Sequence, residues 1–403
     1  MRILFLSSVY PRPYDPVRGV YCRSLCEALA ARHAVRVVSP VAWTERIRRG
    51  SAHGSGLFPS MVPVDYPAHY YPPGVLRDSH GWFMWQSIRR TVRRVLDEFA
   101  PDCVLSYWLH PDGDVAVRAG RRAGVPTAVI VGGSDARLLP KDPKRRPSVA
   151  RVLDMADALI TVSHGLKEDL VQLGTAEAKV HVSYQGIDHE LFHPGDKASA
   201  RALLGLPHDW KIVLFVGGLV PVKGLDVLLD ATARLMQRGS HFRLYLVGDG
   251  PLRQSLAARA NALGLSGSVT LVGPQPQCRL PDWYRAADLS VLSSRSEGIP
   301  NVLRESLACG TPFVATRVGD VAEFCPDAVD DLVPPGDPAA LAAALHRVLS
   351  GRLTCHSLPQ PATWEDNAVE VAEILSDMVH RHRTKLGRRE PATSQELGQT
   401  AAF

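Results

Sequence analysis

The strongest signal in the sequence is the stretch Ser294-Arg-Ser-Glu-Gly-Ile-Pro-Asn-Val-Leu-Arg-Glu-Ser-Leu-Ala-Cys-Gly310. It follows the apolar run at 289–292, which predicts a buried strand, and Pro300 is expected at the first position of a helix. A helix that begins directly after a strand leaves several backbone N–H groups pointing outward, and such groups bind phosphate. The stretch therefore predicts an α/β sheet with an anion site beyond one of its strands.

Two carboxylates in this stretch lie eight residues apart, Glu297 in the loop and Glu305 on the predicted helix. Eight residues span a little over two helical turns, so both side chains can face one ligand. A phosphate on the amides of 299–302, between two carboxylates that bind hydroxyl groups, suits a sugar nucleotide. Spacing alone leaves a simpler interpretation open, in which Glu297 stabilises the helix dipole and Glu305 is a solvated surface residue.

Outward from this stretch, short β-branched runs alternate with helical patterns in two series. The first series predicts strands at 3–8, 35–39, 103–107, 127–131, 158–162 and 180–184, and the second at 211–216, 243–247, 269–272, 289–292 and 313–316. Such alternation is typical of parallel sheets covered by helices on both faces. Since 403 residues exceed what one core usually supports, we predict two doubly wound, Rossmann-like domains facing a cleft.

Breaks in the periodicity indicate the domain boundaries. The glycine- and proline-containing segment after Tyr184 reads as a linker, so an acceptor-side domain is predicted at 1–190 and a donor domain at 191–362. A further helix at 363–384 is expected to return to the N-terminal domain. The polar, aperiodic residues 385–403 predict a disordered tail.

Composition excludes several classes of protein. With 45% apolar and 22% charged residues the chain is ordinary for a globular protein, and it holds no uninterrupted apolar run of the length that spans a bilayer. Its seven cysteines form no C-x-x-C pair, so neither a zinc site nor a disulfide framework is indicated. A net charge of +5 is too modest to indicate nucleic acid. We therefore expect a cytoplasmic protein without a metal or a nucleic-acid partner.

Three further segments place glycines or small residues directly after predicted strands. Phe215-Val-Gly-Gly-Leu-Val-Pro-Val-Lys-Gly224 contains Gly217, Gly218 and Lys223; the others are Leu246-Val-Gly-Asp-Gly-Pro251 and Ala158-Leu-Ile-Thr-Val-Ser163. Together with the E-x7-E stretch, in this order and at this spacing, they resemble glycosyltransferase family 4. The resemblance extends over nearly the whole chain and implies the GT-B fold.

Residue by residue, the resemblance implies a donor site. Glu297 would contact the transferred sugar, Glu305 would hold the nucleotide ribose, and the amides near Asn301 and Val302 would bind the distal phosphate. Lys223 would neutralise the leaving diphosphate, although a solvated surface lysine is the commoner case. The other donor-binding candidates in these two segments are Gly217, Gly218, Gly298, Ile299 and Pro300.

The sequence departs from the family at Gly218, where many relatives carry an arginine that supplies a second cation to the diphosphate. Arg295 and Arg18 are candidate substitutes. In the N-terminal domain, Gly19 matches a glycine that lies close to the donor phosphates. His110 ends a strand on the cleft side and is a candidate catalytic, sugar-contacting residue, with a purely structural histidine as the alternative.

The resemblance implies a retaining, metal-independent enzyme that takes a nucleoside diphosphate sugar and transfers the sugar to a glycan or a lipid-linked glycan. Within the family, the organisation around Tyr107–Gly113 and Gly133–Asp135 resembles bacterial enzymes of envelope polysaccharide synthesis, including teichuronic acid transferases. The helix predicted at Trp85–Phe99 carries arginines opposite an apolar face, which suits either peripheral contact with the cytoplasmic face of a membrane or packing on the sheet.

Two other functions remain open at this point: a non-catalytic protein that binds nucleotide sugars, and a sugar-nucleotide epimerase. The Asp112-Gly-Asp114 segment spells D-x-D, which holds a metal in another glycosyltransferase fold. Here it begins a helix in the domain opposite the donor, and we interpret it as helix capping.

Overall fold

The fold is known from a computed structural model, which describes residues 1–15, 18–49, 61–324, 332–351 and 362–387. Within these residues the strands form two large sheets and one small one, and neighbouring strands run parallel. The predicted two-domain α/β architecture is confirmed. Of the tail predicted at 385–403, residues 385–387 end the last helix, and 388–403 lie outside the described residues.

The N-terminal domain is built on a seven-stranded sheet of order β4-β2-β1-β6-β7-β8-β9, beside a two-stranded β3-β5 ribbon. Its strands are β1 (Arg2–Leu6), β2 (Ala34–Val38), β3 (Val41–Ala42), β4 (Val64–Asp65), β5 (Ala68–His69), β6 (Cys103–Tyr107), β7 (Thr127–Val131), β8 (Ala158–Thr161) and β9 (Val180–Val182). Its helices are α1 (Val20–Ala30), α2 (Trp43–Arg49), α3 (His80–Phe99), α4 (Asp114–Ala123), α5 (Ser134–Arg137), α6 (Arg146–Met155) and α7 (His164–Gln172).

The C-terminal domain has a five-stranded sheet of order β12-β11-β10-β13-β14. Its strands are β10 (Lys211–Val216), β11 (Phe242–Val247), β12 (Val269–Gly273), β13 (Leu289–Leu292) and β14 (Phe313–Ala315). The remaining helices are α8 (Lys197–Leu204), α9 (Leu225–Gln237), α10 (Arg253–Ala262), α11 (Leu280–Ala286), α12 (Asn301–Ala308), α13 (Val321–Phe324), α14 (Pro338–Leu349) and α15 (Trp364–Gly387). The exact boundary predicted between 190 and 191 stays a prediction.

The central strands are apolar on both faces because helices cover the sheet on both sides. In β1 the four residues Ile3–Leu6 are completely buried; Ile3 and Phe5 join the core cluster beneath α1, while Leu4 and Leu6 join the one beneath α3. This pattern is that of a parallel sheet, whose strands read as continuous hydrophobic runs. It places the loops after each strand at one edge, where ligands of such sheets bind.

Helix α15 returns across the molecule, as predicted for the C-terminal helix. It packs against α1 and β8 of the N-terminal domain. Its inward face contributes Val371, Leu375 and Met378 to the same core cluster as β1 and β7. Helix α15 thus adds to the core of the N-terminal domain.

We expect Leu375→Ala to lower the free energy of unfolding by about 2–5 kcal/mol, since it leaves a cavity under α15. Leu375 is completely buried, whereas Ser376 on the same helix is exposed. Urea denaturation checks this, with Ser376→Ala as the control that should change stability by less than about 0.5 kcal/mol. Equal effects of the two substitutions would show that α15 is not packed on the core.

Candidate active site

The loop after β13 leads into α12, and the helix starts one residue later than the sequence predicted. Pro300 has an extended ψ of 101° and is the N-cap rather than the first helical residue. Its carbonyl accepts a hydrogen bond from the backbone N–H of Leu303 at 3.1 Å. The N–H groups of Asn301 and Val302 therefore open the helix, where backbone donors lack acceptors within the helix and attract anions.

A cavity of about 200 Å³ lies beside this helix start and is lined by both domains. Val20 and Tyr21 of α1 line it from the N-terminal domain, and Asn301, Val302 and Glu305 line it from the C-terminal domain. The structure thus brings three of the predicted donor-binding residues onto one cavity. It also explains Gly19, which precedes Val20 and caps α1 with a φ of +62°, because a Cβ there would lie 2.5 Å from the Val9 carbonyl oxygen.

Glu305 faces the cavity with its carboxylate held by a tyrosine. The hydroxyl of Tyr284, on α11, donates a hydrogen bond of 2.8 Å to Glu305 Oε2. Burial raises the pKa of Glu305 to about 7, against the lowering effects of that hydrogen bond and of the neighbouring Arg304. The solvated surface position considered from the sequence is therefore wrong. A partly desolvated carboxylate of this kind suits hydrogen bonding to hydroxyl groups.

This raised pKa has a consequence for stability. Unfolded, Glu305 titrates near 4.5, and folded it titrates near 7. Between these values the folded chain holds a proton that the unfolded chain has lost, so this residue's contribution to the free energy of unfolding falls as pH rises from about 4.5 to 7. We expect Glu305→Gln to be more stable than the wild type at pH 8, by up to about 3 kcal/mol, and to lose this advantage at pH 5. Melting temperatures at the two pH values check this, and a difference independent of pH would contradict it.

Glu297 and Lys223, predicted in separate segments, are in direct contact. Lys223 Nζ donates to Glu297 Oε1 at 2.6 Å, and Ser294 Oγ donates to the same oxygen at 2.5 Å. Lys223 ends a short 3-10 turn after β10, and Ser293 Oγ holds its carbonyl at 2.9 Å. The two loops after β10 and β13 thus present an anion and a cation side by side, next to the start of α12.

Arg295 supports this turn, and its role as a second cation for the diphosphate stays a prediction. Its guanidinium pairs with Asp226 at 2.6 Å and donates to the Pro221 carbonyl at 2.8 Å, and Pro221 begins the short turn that ends at Lys223.

Gly218 is exposed, and the atoms nearest to a Cβ there would be 3.9 Å away or farther. A Cβ would therefore fit at Gly218 without a clash. The neighbouring Gly217 extends β10 by donating to Val247 O at 3.0 Å.

Gly298 lets the backbones of the two domains come into contact. A Cβ at Gly298 would collide with the carbonyl of Gly132, and one at Gly133 would lie 2.8 Å from the Gly298 Cα. The backbones of the loops after β7 and β13 are therefore in contact. Ile299, which follows, is half-buried, and its role in donor binding stays a prediction.

His110 does not line the cavity. It is 1% exposed, packs edge-on against His80 at 6.3 Å between ring centroids, and burial lowers its pKa to about 4. Among the described residues neither ring nitrogen has a hydrogen-bond partner. The structure thus supports a neutral, buried imidazole in the N-terminal domain, and sugar contact by His110 stays a prediction.

The D-x-D segment does not cap a helix, contrary to the sequence-based interpretation. Asp112 accepts hydrogen bonds from the backbone N–H and the hydroxyl of Ser8, at 2.5 and 3.0 Å, and so ties the loop after β6 to the loop after β1. Asp114 pairs with Arg118 at 3.0 Å. Within the described residues, no group of three His, Cys, Asp or Glu side chains converges to hold a metal ion.

Sequence reasoning missed the side chains that join the two halves of the site. Gln185 accepts from Asn301 Nδ2 at 2.6 Å and donates to the Tyr107 hydroxyl at 3.0 Å, which connects α12 to β6. Arg304, buried, donates to the Gln185 carbonyl at 2.7 Å. The only sequence signal for Gln185 is its place after the last N-terminal strand, at the start of the linker.

Known proteins resemble this chain over both of its domains. Residues 19–191 match the family described as Glycosyltransferase Family 4, and residues 210–351 match the one described as Glycosyl transferases group 1. The chain is 34% identical over 306 residues to D-inositol 3-phosphate glycosyltransferase of Thermobispora bispora, which covers 69% of this chain and 71% of that protein. It is 37% identical over 289 residues to D-inositol 3-phosphate glycosyltransferase 2 of Catenulispora acidiphila, covering 66% of this chain and 65% of that protein.

Among solved structures, the chain is similar to Anabaena Alr3699/HepE in complex with UDP and glucose, with a TM-score of 0.67. The two share 20% identity, and the match covers 96% of this chain and all of that one. At this identity the likeness shows the shared two-domain GT-B fold. The family match and the sequence relatives show more than the fold. This chain belongs to glycosyltransferase family 4.

Proposed function

We propose that this glycosyltransferase moves a sugar from a uridine diphosphate sugar to a hydroxyl acceptor with retention of anomeric configuration. The observation that carries the proposal is the Lys223–Glu297 pair, held at 2.6 Å between the loops after β10 and β13. The loop after β13 leads into α12, whose residues Asn301, Val302 and Glu305 line the cavity. The Lys223 ammonium group and the amides at the start of α12 match a diphosphate. The carboxylate of Glu297 matches a sugar, and that of Glu305 matches a ribose. UDP is proposed because the structural neighbour was solved with UDP and glucose.

The reaction requires stabilisation of charge on the leaving group. As the bond between the anomeric carbon and the diphosphate oxygen breaks, Lys223 and the amides of Asn301 and Val302 stabilise the developing negative charge. The acceptor oxygen attacks from the same face, and its proton passes to the departing phosphate. Glu297 binds the hydroxyl groups of the transferred sugar, and Gly19 lets α1 approach the phosphates. In this proposal Lys223 and the helix amides take the place of a metal ion at the diphosphate.

For the acceptor, we propose a lipid-linked glycan of envelope polysaccharide synthesis. The supporting observation is a segment of the N-terminal domain, named the α3 entry surface, in which exposed apolar and cationic side chains follow one another along the chain. Its members are Tyr70, Val75, Leu76, Trp82, Arg89, Arg90 and Arg93, all exposed. The backbone N–H of Tyr70 donates to Ser87 of α3 at 2.9 Å, which places Tyr70 beside that helix. Apolar residues flanked by arginines suit an anionic bilayer.

The apolar face of α3 itself has a different partner. Ile88, Val92 and Val95 are completely buried against β1 and β6, so the packing alternative considered from the sequence is correct for that face. The helix also begins at His80, five residues before the predicted start, which brings Trp82 into its first turn. Membrane contact is therefore proposed through the entry of α3 and its arginines. None of the described helices has the length and apolar content needed to cross a bilayer.

Replacing Arg89, Arg90 and Arg93 together by alanine should weaken binding to vesicles that contain anionic lipid by about 100-fold, since each cation near such a surface contributes about 1 kcal/mol. Co-sedimentation with vesicles of phosphatidylglycerol and phosphatidylcholine measures this. A control variant with Arg121, Arg122 and Arg238 replaced by alanine loses the same charge from exposed positions elsewhere. If both variants bind like the wild type, or weaken equally, the α3 entry surface is not a membrane contact.

The proposed function is tested by offering UDP-, GDP- and ADP-sugars with two acceptors, a polyprenyl-diphosphate-linked sugar and D-inositol 3-phosphate. We expect transfer from a UDP-sugar to the lipid-linked acceptor, with the anomeric configuration read by NMR. Transfer to D-inositol 3-phosphate alone would replace the acceptor proposal with that of the sequence relatives. Inversion of configuration, or interconversion of the donor sugar without transfer, would contradict the proposed reaction.

A further inference from the structure

One arginine of the N-terminal domain binds the backbone of the loop that carries Glu297. Arg137, the last residue of α5, donates from Nη1 to the Glu297 carbonyl oxygen at 2.7 Å. Its Nη2 donates to both oxygens of Asp320, at 3.0 and 3.3 Å. Glu297 and Asp320 belong to the C-terminal domain, so one guanidinium spans the two domains at the candidate active site.

Both ends of this contact are held in place. On the N-terminal side, Arg137 Nε donates to Asp169 of α7 at 2.6 Å. On the C-terminal side, the Asp320 backbone N–H donates to the Gly298 carbonyl at 3.2 Å, and the Asp320 carboxylate accepts a hydrogen bond from Ser163 of the N-terminal domain. The side chains of Arg137 and Asp320 are 20% and 9% exposed. Charged groups this well shielded hold a defined geometry better than surface ion pairs do.

The turn before Arg137 is fixed in a conformation that brings this side chain to the Glu297 carbonyl. Asp135 is completely buried, and its carboxylate accepts from the backbone N–H groups of Gly132, Gly133 and Leu109 at 2.8–3.1 Å. These bonds fix the turn between β7 and α5. Because Gly133 and Gly298 have no Cβ, the two backbones touch, and the guanidinium can reach the Glu297 carbonyl.

The backbone at Glu297 and Gly298 is thus held from both domains, while the Glu297 side chain is held within the C-terminal domain. Arg137 and Asp320 hold the backbone at Glu297 and Gly298, and Lys223 and Ser294 hold the carboxylate. A displacement of the backbone would move the carboxylate relative to the cavity. Catalysis is sensitive to misplacement of about 1 Å at reacting groups.

We propose that Arg137 is a positioning residue for sugar transfer, which docks the N-terminal domain on the Glu297–Gly298 loop so that the active site is complete only when the two domains meet. This inference rests on the proposed function. It assigns Arg137 no contact with the donor, because the guanidinium is bonded to Asp169, to the Glu297 carbonyl and to Asp320.

The test compares Arg137→Ala, Asp320→Ala, the double variant and Asp169→Asn in the transfer assay. We expect Arg137→Ala and Asp320→Ala each to lower kcat by about 10- to 100-fold, while the Kd for UDP changes by less than about threefold. The double variant should be no slower than the slower single variant, because the two residues act through one contact. Asp169→Asn keeps an acceptor for Arg137 Nε and both bonds across the domains, so we expect its kcat to fall less than that of Arg137→Ala.

Each outcome decides the proposal. Wild-type kcat in Arg137→Ala would overturn it while leaving the proposed function intact, and so would multiplicative effects in the double variant. Equal losses of kcat and UDP affinity would reassign Arg137 to donor binding, and an Asp169→Asn variant as slow as Arg137→Ala would reassign the network to stability of the N-terminal domain. A wild-type protein that transfers no sugar would refute the proposed function and, with it, this inference.

Discussion

Replacing Lys223 by alanine should lower kcat by about 100- to 1,000-fold, the size of effect seen when one preorganised donor to a developing oxyanion is removed. Lys223 lies in a turn fixed by Ser293 and Arg295, so its ammonium group is in place before the reaction begins. Its partner Glu297 lies 2.6 Å away, in the loop that leads into α12. Removing the cation leaves the departing diphosphate with the helix amides alone.

Steady-state kinetics with a saturating donor measure this effect. Lys211→Ala is the matched control, because Lys211 begins the strand that leads to the same turn and its side chain is 57% exposed. We expect the control to retain wild-type kcat. If Lys223→Ala raises KM and leaves kcat unchanged, Lys223 binds donor and transition state equally, and the role proposed for it is wrong.

Glu297→Gln should lower kcat/KM by about 10- to 100-fold with little change in the Kd for UDP. A hydrogen bond to a charged group contributes about 1.5–3 kcal/mol, and the substitution removes the charge while keeping the shape. UDP contains no transferred sugar, so its affinity should not depend on a residue that binds that sugar. The amide can still accept from Lys223 and Ser294, which keeps the loop in place.

Titration calorimetry with UDP and kinetics with the UDP-sugar separate the two effects. Glu373→Gln, an exposed position on α15, is the control for loss of one negative charge. A variant that loses UDP affinity as strongly as turnover would show that Glu297 acts on the nucleotide and not on the sugar. Wild-type kinetics in Glu297→Gln would leave its carboxylate to the structural role of pairing with Lys223.

The sequence predicted the features that depend on short segments, namely the strands, the glycine turns and the start of α12. Strands followed by glycine turns indicated two parallel sheets, and the E-x7-E stretch indicated where α12 starts to within one residue. The alternation of apolar runs was informative because buried parallel strands such as β1 must be apolar on both faces. The partnership of Lys223 with Glu297 was predicted only as a common ligand, and the direct ion pair became visible in the structure.

Contacts between distant segments could not be predicted in the same way. Tyr284, Gln185 and Arg137 act through partners 21, 116 and 160 residues away, and no local pattern distinguishes them from ordinary core or surface residues. The capping interpretation of Asp112 failed for the same reason, since its partner Ser8 is 104 residues away. Burial of His110 depended on α3 and the loop after β6 meeting in space.

Thermal unfolding in the presence of UDP shows whether Glu305 lines a nucleotide site. A ligand at 100 times its Kd stabilises the folded protein by about 2.7 kcal/mol, which raises the melting temperature measurably. We predict that millimolar UDP raises the melting temperature of the wild type and raises that of Glu305→Ala much less, with GDP and ADP as comparison nucleotides. No shift with any of these nucleotides, or the same shift in both proteins, would contradict the site described for this chain.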